Sequence, residues 1–176
     1  AISGQAIEND DYKVTIDSES FTYSFTTKNG IEYNIIFSDS MSYFSDTSTV
    51  KKLSKIYSIT IDKVSDEKPQ LDTDVELTID AVITHFFKDI EKSIVYYCYT
   101  ADHKERSRAR KFNAWYTNSP FNINTTKIDN TIEVPDDEYH HFTSIIYHKD
   151  NPFSSDLTVA YYEMVDGLTK PPKEEI

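Results

Sequence analysis

"SIVYYCYT", residues 93–100, is apolar on both of its alternating faces. Successive side chains of a strand point to opposite sides, so Ile94, Tyr96 and Cys98 share one face and Val95, Tyr97 and Tyr99 the other. A strand buried on both faces belongs inside a sheet, with another layer over each face. The flanking sequence supplies such layers. Upstream, in "DVELTIDAVITHFFKDIEK", residues Val75, Ile79, Val82, Ile83, Phe86 and Ile90 fall within one stripe at 100° per residue, the pattern of an amphipathic helix, with Asp72 or Thr73 as its cap. Downstream, the spacing predicts a second helix from His103 to about Thr117, with Asp102 and Glu105 at capping-box spacing.

Working outward, "SFTYSFTTKNGIEYNIIFS" (residues 20–38) alternates Phe21, Tyr23 and Phe25 with Ser and Thr, a period of two. A two-residue loop would pair Phe25 with Asn34 and mismatch the apolar faces. A three-residue loop, Lys28-Asn29-Gly30, pairs Phe25 with Tyr33, Tyr23 with Ile35 and Phe21 with Phe37, and puts Gly30 at the left-handed position such loops require. A strand is expected at residues 55–64, with Tyr57, Ile59 and Ile61 on one face, before an acidic loop at 65–74. A further strand is expected near 139–148, with a weaker one before it, and the paired acids Asp136-Asp137 after Pro135 read as turn chemistry. Ser154, Ser155 or Asp156 caps a last helix whose core face is Leu157, Ala160, Tyr161, Met164, Val165 and Leu168, with Gly167 where it could end. The class that follows is α+β: a mostly antiparallel, partly mixed sheet of about five or six strands, opening on an N-terminal hairpin or meander and packed by about three helices. Residues 1–19 are expected to be an acidic arm with at most a short strand at 12–16, 20–168 a single domain, and 169–176 a loose tail.

The bulk properties narrow the function classes. The chain of 176 residues carries 18 cations against 30 acids, a formal charge of −12, with 38% hydrophobic residues and 13 Tyr and 10 Phe. That is a globular composition, long enough to bury a core without staples. No apolar run approaches the roughly 20 residues of a membrane span. The first residues show no basic segment followed by an apolar one and do not start with Met, so no intact signal peptide is expected and something upstream is expected to have been removed. A single cysteine excludes an internal disulfide framework and fits a reducing, cytoplasmic setting. The acidity argues against bulk nucleic acid or anionic membrane as partner.

Against that background, residues 104–111 hold five cations and one acid. On a helical wheel Ala109, Phe112 and Tyr116 form the buried face. Lys104, Arg108, Lys111 and Trp115 form a second stripe at i, i+4, i+7 and i+11, and Arg106 and Arg110 flank the buried face on its other side. The plain reading is cationic side chains snorkelling over apolar surface toward water or the many acids elsewhere. A sharper one is an anion site at the helix start, with Lys104 and Arg108. A third is nucleic-acid contact with Trp115 stacking on a base.

Cys98, at the end of a central strand just before a helix, sits where ligand crevices occur in open α/β sheets, and nearby cations would lower a thiol pKa. Yet a cysteine-phosphatase loop needs Arg six positions after the Cys and a glycine-rich cradle. Position 104 is Lys and "YTADH" holds no Gly, so a buried inert thiol is the better reading. No metal site is expected: His140 and His141 point to opposite faces of a strand, His140 and His148 lie about 27 Å apart at strand rise, and His85 with Asp89 at i+4 is unspecific. No phosphate loop, dinucleotide fingerprint, zinc-protease or serine-elbow motif occurs, so no catalytic residue and no cofactor are assigned.

Three stretches, "FTYSFTTKNGIEYNIIF", "IVYYCYTADHKERSRARKFNAWY" and "SIIYHKDNP", resemble an uncharacterised family of small proteins from Bacteroidota, over roughly residues 20 to 165. In that family an acid tends to follow the Cys; here Tyr99 does. The resemblance implies a grouping and brings no activity. The leading expectation is therefore a non-enzymatic bacterial protein-binding module, an inhibitor, antitoxin-like or immunity-like protein, whose partner could offer a basic surface. The alternative is a small-ligand or phosphate binder, or an enzyme, using the crevice of Cys98, Asp102, His103, Lys104 and Arg108. The whole set of binding candidates is these five with Arg106, Arg110, Lys111 and Trp115.

Overall fold

The computed structural model describes residues 5–7, 12–44, 55–64, 72–98, 103–133 and 140–169. The chain forms two compact units, Ala1–Ser38 with Ser58–Asp89, and Asp39–Tyr57 with Ile90–Ile176. The class is α+β with a mixed sheet. Eight strands and three α-helices are present among the described residues, more strands than the sequence suggested: Gln5–Ile7 carries too few residues to show a period, whereas Val14–Asp17 overlaps the short strand allowed at 12–16.

In the first unit β1 (Gln5–Ile7), β2 (Val14–Asp17), β3 (Thr22–Thr26) and β4 (Glu32–Asp39) pair antiparallel in chain order. The stretch read as an arm thus contributes two strands. The β3–β4 register is the one the three-residue loop demands: Tyr23 opposes Ile35 and Phe25 opposes Tyr33. Phe37 donates its N–H to the Phe21 carbonyl at 3.2 Å, and Thr27 N–H bonds the Ile31 carbonyl to close the loop. Gly30 takes φ +78°, a conformation that costs a Cβ-bearing residue energy. The inward face of this hairpin is aromatic and meets α1 (Thr73–Phe86). Phe86 stacks on Phe37 with ring centroids 4.2 Å apart, and Phe21 lies 5.9 Å from Phe86. Val82, Ile83 and Phe86 are fully buried, as their stripe predicts. Ile90, placed on the same stripe, lies beyond the helix end and is exposed.

Asp72 caps α1, as expected. Its Oδ1 accepts the Asp74 N–H at 2.9 Å and its Oδ2 accepts the Tyr12 hydroxyl at 2.6 Å. The Tyr12 hydrogen bond, foremost, holds the Asp72 carboxyl below its usual range. A carboxyl with a depressed folded pKa binds fewer protons folded than unfolded, so its stabilising contribution is present above the unfolded value of about 3.9 and is lost as pH falls through the folded one. Urea melts across the acid range are expected to show this loss in the wild type and a flatter profile in Asp72→Asn.

The second unit has the hydrogen-bonded order β5 (Ile56–Lys63), β6 (Ser93–Cys98), β8 (His140–His148), β7 (Thr125–Glu133), with Ile56 and Tyr57 its share of β5, whose residues from Ser58 on belong to the first unit. The β5–β6 pair is parallel, Ile56 opposite Ser93, and parallel neighbours need a long crossover, which residues 64–92 provide. β6–β8 and β7–β8 are antiparallel. β6 is internal, as its two apolar faces required. On one face Val95 joins Ile132, Ile145, Leu157, Ala160 and Tyr161 in a core closed by α3 (Ser154–Thr169). On the other, Tyr96 stacks on Phe112 of α2 (Glu105–Asn118), with ring centroids 4.0 Å apart and planes within 8°.

Several local expectations are corrected. Leu168 of α3, placed on the core face, is exposed, and Ile61 of β5 is exposed too. α3 passes through Gly167 to Thr169, since glycine costs a helix only about 1 kcal/mol. The turn at Asp136-Asp137, most of the loop before Asp72 and the tail after Thr169 lie outside the described residues.

Candidate functional site

The second helix starts at Glu105, two residues later than the pattern suggested. His103 has φ +59°, a left-handed backbone incompatible with a right-handed helix, and Lys104 is the N-cap with no side-chain cap bond. The capping box therefore does not form: Glu105 is buried, its Oε2 without a hydrogen-bond partner among the described residues, and Asp102 lies outside them. Cys98 is 2% exposed and donates its thiol to the Glu105 carbonyl at 3.5 Å. It packs under the first turn of α2, as an inert thiol does. Thiol reagents are expected to label Cys98 far more slowly in native protein than in denatured protein, a comparison a chromogenic disulfide reagent reads directly.

Lys104, Arg106, Arg108, Arg110 and Lys111 are all exposed. Trp115, placed by the wheel at the end of a cationic column, is half-buried: its ring meets Phe121 edge-on at 5.3 Å and lies 5.7 Å from Phe112. The short 3-10 turn Pro120–Asn124 brings Phe121 there, a tertiary contact no helical wheel contains.

What the structure assembles is a groove of about 560 Å³ between α2 and the face of β7 and β8. Arg106, Ala109, Arg110 and Asn113 form its helical wall, Asp129 and Thr131 the opposite wall, and Tyr96, Phe112, Phe142 and Ser144 lie between. Of the nine candidate residues, Arg106 and Arg110 line it; Cys98, His103, Lys104, Arg108, Lys111 and Trp115 do not. Lys104 and Arg108 have interactions of their own, whereas Arg106 and Arg110 have no hydrogen bond or ion pair among the described residues. Two like charges at i and i+4 cost a helix about 0.2–0.5 kcal/mol.

Lys127 was not foreseen. Its side chain is only 6% exposed, held over the rings of Phe112 at 5.3 Å and Tyr116 at 5.7 Å. Its ammonium donates to Asn113 Oδ1 on α2 and is ion-paired with Asp129, whose Oδ1 also accepts the Ser144 hydroxyl. Lys127 thus ties helix to strand and compensates the one acid in the groove. A lysine in an alternating strand resembles a solvent-facing residue, and only the register against β8 puts it under α2. Burial foremost, with the neighbouring Cys98 thiol, pushes the Tyr96 hydroxyl up to about 12, so it is neutral in the physiological range. The Ser144 hydroxyl in the groove is bonded to a carboxylate that Lys127 already neutralises. Among the described residues no group of three His, Cys, Asp or Glu is placed to hold a metal ion, and no helix is long and apolar enough to cross a membrane.

A family model, described as a family of unknown function (DUF6169), matches residues 71–163. The chain belongs to DUF6169. The DUF6169 segment contains α1, β6, α2, β7, β8 and the first part of α3, and so every residue of the groove. It is shorter than the 20–165 span of the resemblance, leaving β1 to β5 outside. No curated protein matches the chain.

Proposed function

We propose that this DUF6169 protein is a non-enzymatic binding module that takes an anionic ligand in the groove between α2 and the β7–β8 face. One observation carries the reading: Arg106 and Arg110, one helical turn apart and without partners among the described residues, stand over an aromatic groove in a strongly acidic chain. Guanidiniums bind carboxylate and phosphate by paired hydrogen bonds, and an incoming anion relieves their mutual repulsion. Tyr96, Phe112 and Phe142 offer apolar surface to the rest of the ligand. The crevice at Cys98, Lys104 and Arg108 has less support, because the thiol is buried. A nucleic-acid role has least, because Trp115 is half-buried against Phe121 and Phe112.

The test is a thermal-shift series with phosphate, acetate, glutarate and benzoate. A ligand at a hundred times its Kd stabilises by about 2.7 kcal/mol, a rise of about 5–10 °C for a chain of this size. Such a rise, larger for the aromatic or dibasic anions than for acetate, is the expected result; no rise with any of them at millimolar concentration removes the reading. A second reading, a folded protein partner, is favoured by Val159 and Tyr162, three residues apart on α3 and about half exposed. In either case the buried free thiol fits a reducing, cytoplasmic setting.

A further inference from the structure

We infer that the ligand of the groove is an extended peptide with acidic residues at alternate positions, added as a further strand to the outer edge of β7. This rests on the anionic-ligand reading and gives it a chemical class. Among the described residues β7 ends the strand order beyond β8, so its nine residues have one backbone edge without a neighbouring strand. One bond sets the phase of that edge. Lys149 donates its N–H to the Asn124 carbonyl at 2.9 Å, one step outside the pair Thr125 and His148. Hydrogen-bonded and non-hydrogen-bonded pairs alternate along an antiparallel ladder. The even-numbered residues of β7 therefore bond β8, and Lys127, Asp129 and Thr131 turn their N–H and C=O groups outward. A row of such groups is a template for another strand.

Thr125 and Lys127 meet Tyr116, Phe112 and Asn113 of α2, so the side chains of the odd-numbered residues lie on the α2 side, and Asp129, Asn130 and Thr131 line the groove. A strand paired with them sends every second side chain toward α2. The helix runs antiparallel to β7: Tyr116 meets Thr125 at 2.8 Å and Asn113 meets Lys127, so Arg110 and then Arg106 follow toward Thr131 and beyond. Four helical residues advance about 6 Å and two strand residues about 6.7 Å. Acids at i and i+2 of the peptide therefore match arginines at i and i+4 of the helix. Lys127 compensates Asp129, so the local charge facing the peptide is positive. The overall charge of −12 acts at distances where salt screens it, beyond about 8 Å, and the contact pairs are screened much less.

The probe is a fluorescent, end-capped heptapeptide alternating Val and Glu, read by polarisation against the full chain. It is expected to bind. N-methylation of the Glu amides, which would face β7, is expected to weaken binding by roughly tenfold or more, and N-methylation of the Val amides to leave it within about threefold. Thr131→Pro removes an outward N–H without touching the β8 ladder and should reproduce the Glu-methyl loss; if that variant does not fold, the two methylated peptides decide alone. Equal affinity of the two methylated peptides, or of a Lys-for-Glu peptide, overturns the proposal. So does a dimer that Thr131→Pro dissolves in the absence of peptide binding, because the edge then takes a second copy of this chain. If no peptide binds but glutarate still does, and Arg106→Ala abolishes that, the groove reading stands and the peptide falls; if neither binds, both fall.

Discussion

Phe86→Ala is expected to destabilise the first unit by about 3–5 kcal/mol, the range for deleting a buried aromatic side chain. Phe86 is 1% exposed and is met by Phe21, Phe37 and Phe87, its ring 4.2 Å from Phe37 and 5.1 Å from Phe87. Truncation removes the transfer energy of the ring and leaves a void that neighbouring rigid rings cannot close, because aromatic side chains have few rotamers with which to collapse inward. Natural domains have about 5–15 kcal/mol in total, so this one change takes a large share. At about 2–4 °C per kcal/mol for a chain of this size, the thermal midpoint should fall by roughly 10 °C. Leu77→Ala, on the same helix but half exposed, is the control and should move the midpoint little. A Phe86→Ala protein melting within about 2 °C of wild type would show that the β3–β4 face does not rest on α1 as described.

The second large effect concerns binding rather than stability. The double change Arg106→Ala with Arg110→Ala should leave the fold intact, since both side chains are exposed and without partners among the described residues. Relief of the like-charge pair could even raise the midpoint slightly. Hydrogen bonds to charged groups contribute about 1.5–3 kcal/mol each, so losing two guanidiniums should weaken anion binding by at least a hundredfold. Lys104→Ala with Lys111→Ala removes the same formal charge from the same helix outside the groove and is the control: it lowers the general attraction for anions but should change affinity only a few-fold at physiological salt. Arg106→Lys with Arg110→Lys separates charge from geometry. It keeps the cations but loses the planar fork, and should retain only part of the affinity. Titration calorimetry on the three double variants measures all of this. Equal loss in both alanine pairs would mean that net charge, not the groove, holds the anion.

Much of the first unit was legible because its determinants are local. The alternation of Phe21, Tyr23 and Phe25, the Asn29-Gly30 turn and the Val82, Ile83 and Phe86 stripe each select a backbone over a few residues. Three-residue loop chemistry even sets the register, because a one-residue slip would turn every aromatic to solvent. The start of α2 was not legible. Asp102 and Glu105 have capping spacing, but the left-handed turn at His103 intervenes; histidine tolerates that region better than most residues, yet nothing in the neighbouring sequence requires it there. The site divides the same way. That the cations fall on different sides of a helix follows from 3.6 residues per turn. Which side faces the groove depends on where β7 lies.

By itself, then, the order of residues determined the two-sided inner strand, the hairpin with its pairing, the three helices and the sorting of cations along one of them. All are short-range consequences of side-chain period, turn chemistry and sterics. Only the tertiary structure decided that Arg106 and Arg110 overlook a groove, that Trp115 turns in toward Phe121, and that Lys127 lies beneath two rings with Asp129. Those contacts join strands and helices that meet only after the chain has closed, and the free energy that selects them is the burial and charge pairing of the assembled whole, which no window of sequence contains.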